Sequence, residues 1–441
     1  MGALLLIAEP LLPPLAEEAR PFEPKNQTRK REKKPRFSDK EQGVAGALLH
    51  HAVQTLRDAG VEEILCVLDQ DMAFLQSVAQ ELKLQVVYFS CEDNEYNSDP
   101  LLCAVRSGLN IVSSYWDVCM LMPFNMPFLR AHSVKLLRLA AQNSDKPVLR
   151  LSLQGEKGYP STIDRTTYNT FLIRDSDKGL PGILELFHAQ DVETPDSGIW
   201  QPIRSDEDYA RFFRQQRKGA RPDLAGCQAI WDYCGTKEKI WPHLRMVAEI
   251  AQETACQLAQ KGCDIDPELA FAGAMLHGVA KGERDAECMG ARWVADLGYP
   301  AVADIIASSR DLPEDALDKL DERAIVFWAD KLVRHNRPCS IQERYVRSLE
   351  LAADNPEIVV CILRRRDMAR RVQSKIFAKL GLHTGTLNVL DVLRGGAAVL
   401  VSEAAEDSPG IEQMAQAAPQ DPEGLADNVV EWDAHTSQRE K

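Results

Sequence analysis

Several things are scarce in this chain, and each scarcity excludes something. Its eleven cysteines contain no CxxC pair, and an odd number scattered over 441 residues fits free or buried thiols in a reducing compartment rather than a disulfide framework or a zinc knuckle. No stretch approaches the roughly 20 uninterrupted apolar residues needed to cross a bilayer, so no membrane partner is expected. Positive charge is in deficit: 52 Lys and Arg face 66 Asp and Glu, for a formal net charge of -14. A general nucleic-acid binder needs a broad basic face to displace phosphate counterions, so nucleic acid is not an expected partner either. The opening MGALLLIAEPLLPPLAEEA lacks a basic residue before its apolar run, and Glu9 interrupts that run, so it reads as a buried first strand and not a signal peptide. Leu6 fills the Ser/Thr position of a myristoylation motif on Gly2. Cytoplasm is the expected location. There is no internal repeat.

What is present falls into two halves. Short apolar runs alternate with amphipathic stretches: LLLIA at 4–8, HHAVQTLRDAG at 50–60, EEILCVLD at 62–69, FLQSVAQELK at 74–83 and LQVVYFS at 84–90. LLCAVRSGLNIVSS, WDVCMLMPF and AHSVKLLRLAAQNS continue the alternation. This is the βαβ rhythm of a mostly parallel sheet covered by helices, and it holds to about Tyr209. From Ile240 onward the periodicity is helical, through LRMVAEIAQETACQLAQKG, ELAFAGAMLHGVAKG and GARWVADLG. The Gly, Pro and charges of RFFRQQRKGARPDLAGCQ suit a linker or a short bridging helix. The expected organisation is an α/β domain over 1–212, a linker over 213–235, and an all-α domain over 236–385. Over the last forty residues, ten acidic residues face only Arg439 and Lys441, so 402–441 is expected to be a disordered acidic tail.

The helical half carries His243, His277 and Asp330 in order, with LRMVAEIAQ after the first, HGVAKGERD at 277–285, LGYPAVADIIASSRDL at 297–312 and ERAIVFWADKLV at 322–333. These spaced blocks resemble the small bacterial HD-family phosphohydrolases over roughly 240–380. The resemblance implies metal ligands at His243, His277 and Asp330 and a phosphate-facing Lys281. It also exposes departures. Gly278 stands where the defining aspartate of the His–Asp pair belongs, and Ala286 and Ser309 stand where members with a second metal carry histidines. Two histidines and one carboxylate are enough in principle for one mononuclear site, with magnesium or manganese as the ions implied. The other readings are ordinary core histidines kept by descent, or a working phosphohydrolase.

In the first half, LRDAGVEEILCVL at 56–68, NEYNSDPLLCAVRSGL at 94–109, LMPFNMPFLRAHSVKLL at 121–137 and GEKGYPSTI at 155–163 resemble, in that order, molybdenum cofactor nucleotidyltransferases. The family implies a Rossmann-like domain that joins CTP or GTP to a pterin phosphate. It normally has a magnesium-holding aspartate at the Asn125 position. Its glycine-rich phosphate loop is replaced here by LLLIAEPLLPPLAEEARPF, in which Pro10, Pro13 and Pro14 remove amide donors. IWQPIRSDEDY at 199–209 resembles the closing I-D-x-D-T-P-E-D-Y block, with Pro202 and Arg204 at its two aspartate positions. Tyr159 replaces a histidine of the G-H-P turn. The basic run KNQTRKREKKPR at 25–36 falls near the family's phosphate-contacting residues; it attracts either a polyphosphate or the acidic tail, or is a solvated loop. Nucleotide contacts are implied at Lys25, Arg29, Lys40, Arg106 and Gly108, with Asn125 and Lys281 as catalytic positions. The combined resemblance implies an α/β nucleotidyltransferase-type domain joined to an HD-type domain. Its expected role is binding a nucleotide or pterin, or scaffolding a molybdenum hydroxylase or other metalloenzyme, with impaired catalysis; the alternative is an active CTP- or GTP-dependent transferase with a phosphohydrolase domain.

Overall fold

The computed structural model describes residues 1–7, 39–90 and 99–382, which fall into two compact units divided after Arg217. Lys25, Arg29, the basic run and the acidic tail lie outside the described residues. No helix among the described residues is long and apolar enough to cross a membrane.

The first unit alternates strand and helix. It runs β1 (Gly2–Ile7), α1 (Asp39–Asp58), β2 (Ile64–Asp69), α2 (Gln76–Glu81), β3 (Gln85–Phe89), α3 (Pro100–Val112) and β4 (Val118–Pro123). There follow α4 (Ala131–Asn143), β5 (Val148–Leu153), β6 (Glu156–Asp164), α5 (Tyr168–Ile173), α6 (Gly179–Leu184), β7 (Gln190–Glu193) and α7 (Asp206–Lys218). The sheet order is β3-β2-β1-β4-β6-β5-β7. β1 lies between β2 and β4, parallel to both, which explains why GALLLI is buried at every position: a strand covered on both faces has no polar side to alternate with. β6 runs antiparallel to both β4 and β5, a departure from the otherwise parallel rhythm. The chain leaves β1 for β2 on one side and reaches β4 on the other, so the carboxyl ends of β1 and β4 mark the topological switch point, the end at which α/β sheets generally bind ligands. α3 starts from Asp99, whose carboxylate accepts from the Leu101 amide, and Pro100 occupies its first turn.

The second unit is helical. It contains α8 (Leu224–Tyr233), α9 (Trp241–Gln260), α10 (Pro267–Leu276), α11 (Ala286–Asp296), α12 (Pro300–Ser308), α13 (Glu314–Lys319) and α14 (Glu322–Lys331). A two-residue ladder, β8 (Val333–Arg334) with β9 (Arg337–Pro338), precedes α15 (Ile341–Leu351) and α16 (Pro356–Leu380). The segment 213–235 is not an open linker. Its second half is α8, and Cys227, Ile230 and Trp231 are core residues of this unit, with the Trp231 indole donating to the Met275 carbonyl. Gly and Pro at 219–222 made the segment look loop-like, but the apolar spacing after Asp223 is that of a packed helix. α10 and α14 each start from an aspartate, Asp266 and Asp321, that accepts two amide hydrogen bonds of the first turn. Those caps fix where each helix begins, and His277 and Asp330 stand at the opposite ends, His277 just after α10 and Asp330 in the last turn of α14.

Candidate metal centre and nucleotide crevice

His243 lies in the first turn of α9, His277 directly follows α10, and Asp330 is the second-last residue of α14. Three helices thus deliver three donors to one point. His243 Nε2 is 3.1 Å and His277 Nε2 3.5 Å from the same oxygen, Asp330 Oδ1. All three ligand atoms lie within 4.8 Å of one another, and among the described residues no other histidine, cysteine and carboxylate group is so arranged. The Nδ1 of His277 lies 2.7 Å from the Ala274 carbonyl, which can only accept, so Nδ1 carries the proton and Nε2 offers its lone pair to the cluster. His243 has no such support: its buried Nδ1 has no hydrogen-bond partner.

The protonation states suit metal ligation. Burial pushes the Asp330 carboxyl up, but the Lys331 ammonium and the two imidazoles outweigh it and hold the group well below the usual carboxylate range. Burial lowers the His243 pKa, opposed by Asp330 and assisted by the charges of His277 and Lys281, which favours the neutral form that ligates metal. Two imidazole nitrogens and one carboxylate oxygen are a donor set for a divalent transition ion, with positions left open. Lys281 is exposed, and its amide donates to the Gly278 carbonyl.

A Cβ on Gly278 would lie 3.0 Å from Leu244 Cδ2 and 3.6 Å from Ile240 Cδ1, so apolar groups have packed toward the place of the missing side chain. Ala286 begins α11, and the Ser309 hydroxyl donates to the Ile306 carbonyl in its own helix. Sequence reasoning passed over Lys331. It is 8% exposed, and its ammonium donates to Asp330 Oδ2 at 2.7 Å and to the Ser309 carbonyl at 3.2 Å.

In the first unit, Asn125 follows β4 at the switch-point end of the sheet and is 2% exposed, with its backbone carbonyl accepting from the Ile203 amide. The loop that carries it is clamped by Asp196, which accepts from the Arg130 amide at 2.8 Å, the Ser133 hydroxyl at 2.7 Å and the Gly198 amide at 2.9 Å. Burial raises the Asp196 pKa against the opposing pull of Arg130 and these donors. Held by these three donors, Asp196 positions the loop.

Residues 42–192 match the family model described as MobA-like NTP transferase domain, and residues 240–335 match that of the HD domain. The chain joins a MobA-like NTP transferase domain to an HD domain. No curated protein matches it. Among solved structures it is similar to the manganese complex of Rv0371c from Mycobacterium tuberculosis H37Rv, at 14% identity over 48% of this chain and 96% of that one, with a TM-score of 0.34. It is also similar to 4-diphosphocytidyl-2C-methyl-D-erythritol synthase from Anaerococcus prevotii DSM 20548, at 11% identity over 40% and 89% of the two chains, with a TM-score of 0.32.

Within the transferase domain, Arg106 and Gly108 both make close structural contacts. Arg106 pairs with Asp175 at 2.7 Å and donates to the carbonyls of Phe171 and Arg174, tying α3 to the end of α5. Gly108 faces β1: a Cβ there would lie 2.7 Å from Leu4 Cδ1 and 3.1 Å from Val67 Cγ2, so glycine is required for close helix–sheet packing. Lys40 lies in the first turn of α1. Residues 201–204 lie past the sheet, and Ser205 and Asp208 exchange hydrogen bonds at the start of α7. The edge strand β7 carries Asp191 and Glu193, and Thr194 and Pro195 follow it. Glu193 accepts from the Ser152 hydroxyl and the amides of Gln154 and Gly155 in the β5–β6 turn. The Tyr159 hydroxyl is buried without a hydrogen-bond partner.

Proposed function

We propose that this protein serves molybdenum-enzyme maturation in the cytoplasm as a nucleotide- or pterin-binding scaffold, with a single divalent cation in its HD domain and impaired nucleotidyl transfer. The observation that carries the reading is the convergence of His243, His277 and Asp330, beside a glycine in place of the remaining ligand. Their donor set fits magnesium less well than manganese or iron, because two of three ligands are imidazoles. A divalent cation there supplies Lewis acidity toward water or a phosphate oxygen. His277 contributes a nitrogen of fixed tautomer, and Asp330 the only negative charge. In the transferase domain, Asn125 keeps the shape of the aspartate position without its charge, so a nucleotide–magnesium complex would be held less firmly than by a carboxylate. The partner under this reading is a molybdenum hydroxylase or another metalloenzyme.

One observation favours a second reading, an active CTP- or GTP-dependent molybdopterin nucleotidyltransferase: Asp191 and Glu193 retain acidic positions at the end of the sheet. Thermal unfolding with CTP, GTP and ATP, each with magnesium and manganese, tests the binding claim. A ligand at 100 times its dissociation constant adds about 2.7 kcal/mol. A shift with CTP or GTP supports a working crevice, and no shift from any nucleotide removes the nucleotide-binding part of the proposal.

A further inference from the structure

Asp330 has two oxygens, and the structure treats them differently. Oδ1 faces both imidazoles, at 3.1 and 3.5 Å. Oδ2 meets the Lys331 ammonium at 2.7 Å, and that ammonium also donates to the Ser309 carbonyl and lies 4.9 Å from the centre of the Phe327 ring. Lys331 is therefore not a surface cation that happens to reach a carboxylate. It is fixed from three sides, on the last residue of α14, with only 8% of its surface exposed. Nor can water screen its charge well at that depth.

We propose that Lys331 is a built-in counter-cation that limits this centre to one weakly held divalent ion. Two consequences follow from charge and geometry. The carboxylate side that would bridge to a second ion is already occupied by a positive charge, and the Ser309 carbonyl that flanks it is engaged by the same ammonium. A divalent ion entering on the Oδ1 side also feels the Lys331 charge across the width of one carboxylate, which opposes its binding. Lys331 thus acts through Asp330 as a positioning residue that holds the carboxylate in place and sets how many ions it takes and how tightly. This inference rests on the proposed metal-binding role of the HD domain.

The test is titration of the full-length protein with Mn²⁺, following the loss of the free-ion electron paramagnetic resonance signal, for wild type, Lys331→Met, Lys331→Arg and His277→Ala. Wild type should bind one equivalent at this centre. Lys331→Met, which keeps length and volume but removes the charge, should bind Mn²⁺ at least about tenfold more tightly or take up a second equivalent. Lys331→Arg should behave as wild type. Loss of binding in His277→Ala identifies the centre being read. Two equivalents lost with His277 in the wild type, or unchanged or weaker binding in a Lys331→Met protein whose unfolding temperature matches wild type, would overturn the role of Lys331 while leaving the metal site standing. If Lys331→Met unfolds early, Lys331→Gln serves in its place under the same criteria. Wild-type binding that His277→Ala leaves untouched would overturn the metal site and the inference with it.

Discussion

Replacing Gly278 by aspartate supplies the side chain that the resemblance to HD-family phosphohydrolases implies at this position, and the structure sets the cost. The new Cβ would sit 3.0 Å from Leu244 Cδ2, a few tenths of an ångström too close, and 3.6 Å from Ile240 Cδ1. Both contacts are the ends of flexible side chains, so the neighbours can yield, at an overpacking cost of about 1–3 kcal/mol. For a unit of this size each kcal/mol lowers the unfolding midpoint by roughly 2–4 °C. Gly278→Ala carries the same Cβ without the ligand and isolates that steric part. A further direct ligand should raise Mn²⁺ affinity by at least about tenfold, since even indirect support of a ligand is worth roughly 10–100-fold. Calorimetric titration of both variants with Mn²⁺, after a thermal scan of each metal-free protein, reads both effects. The reasoning predicts a comparable fall in midpoint for the two and tighter binding for the aspartate alone. Equal Mn²⁺ affinity in the two variants would refute it, showing that packing around Leu244 has closed the ligand position beyond repair by one residue.

Further expectations concern both domains. Gly108→Ala should destabilise the transferase domain by about 1–3 kcal/mol through the clash with Leu4 and Val67 while leaving any nucleotide-induced thermal shift intact; loss of that shift in a folded variant would return Gly108 to the binding site. Asp196→Ala, which leaves the Arg130 and Gly198 amides and the Ser133 hydroxyl without their acceptor, should lower stability by about 3 kcal/mol or more, and a neutral result in chemical denaturation would show that the clamp on the Asn125 loop is not needed. His51 is held at a pKa of about 4, below its ordinary 6.5, by burial and by the charge of Arg130. Because the unfolded chain then binds the extra proton between those values, stability falls as pH drops from about 6.5 to 4, by up to about 3 kcal/mol, and His51→Phe should flatten that slope in denaturant titrations at pH 7 and 5.

The fold was legible where burial dictates pattern. The all-apolar LLLI of β1 and ILCVL of β2 announce strands covered on both faces, and the helical spacing after Ile240 announces the second unit. The antiparallel insertion of β6 was not legible, because strand direction leaves no mark on side-chain alternation. The segment around Gly219 and Pro222 left a linker or a short bridging helix open, and it holds the packed helix α8. In the metal centre, the order His243, His277, Asp330 gave the donors. Convergence on one oxygen, and Lys331 on the other, depend on where α10 and α14 end and so needed three dimensions. Arg106 illustrates what needs contacts far along the chain: its guanidinium is held by Asp175 and the carbonyls of Phe171 and Arg174, and no resemblance block marks those partners.

The account stands most directly on whether nucleotidyl transfer has been lost. Pyrophosphate release should be measured from CTP and from GTP, with molybdopterin as acceptor and magnesium or manganese present, on the wild-type chain and on Asn125→Asp. The proposed role predicts release from the wild type at the level of the protein-free control. Sustained pyrophosphate release by the wild type, dependent on the pterin, would contradict it and establish the chain as a working transferase.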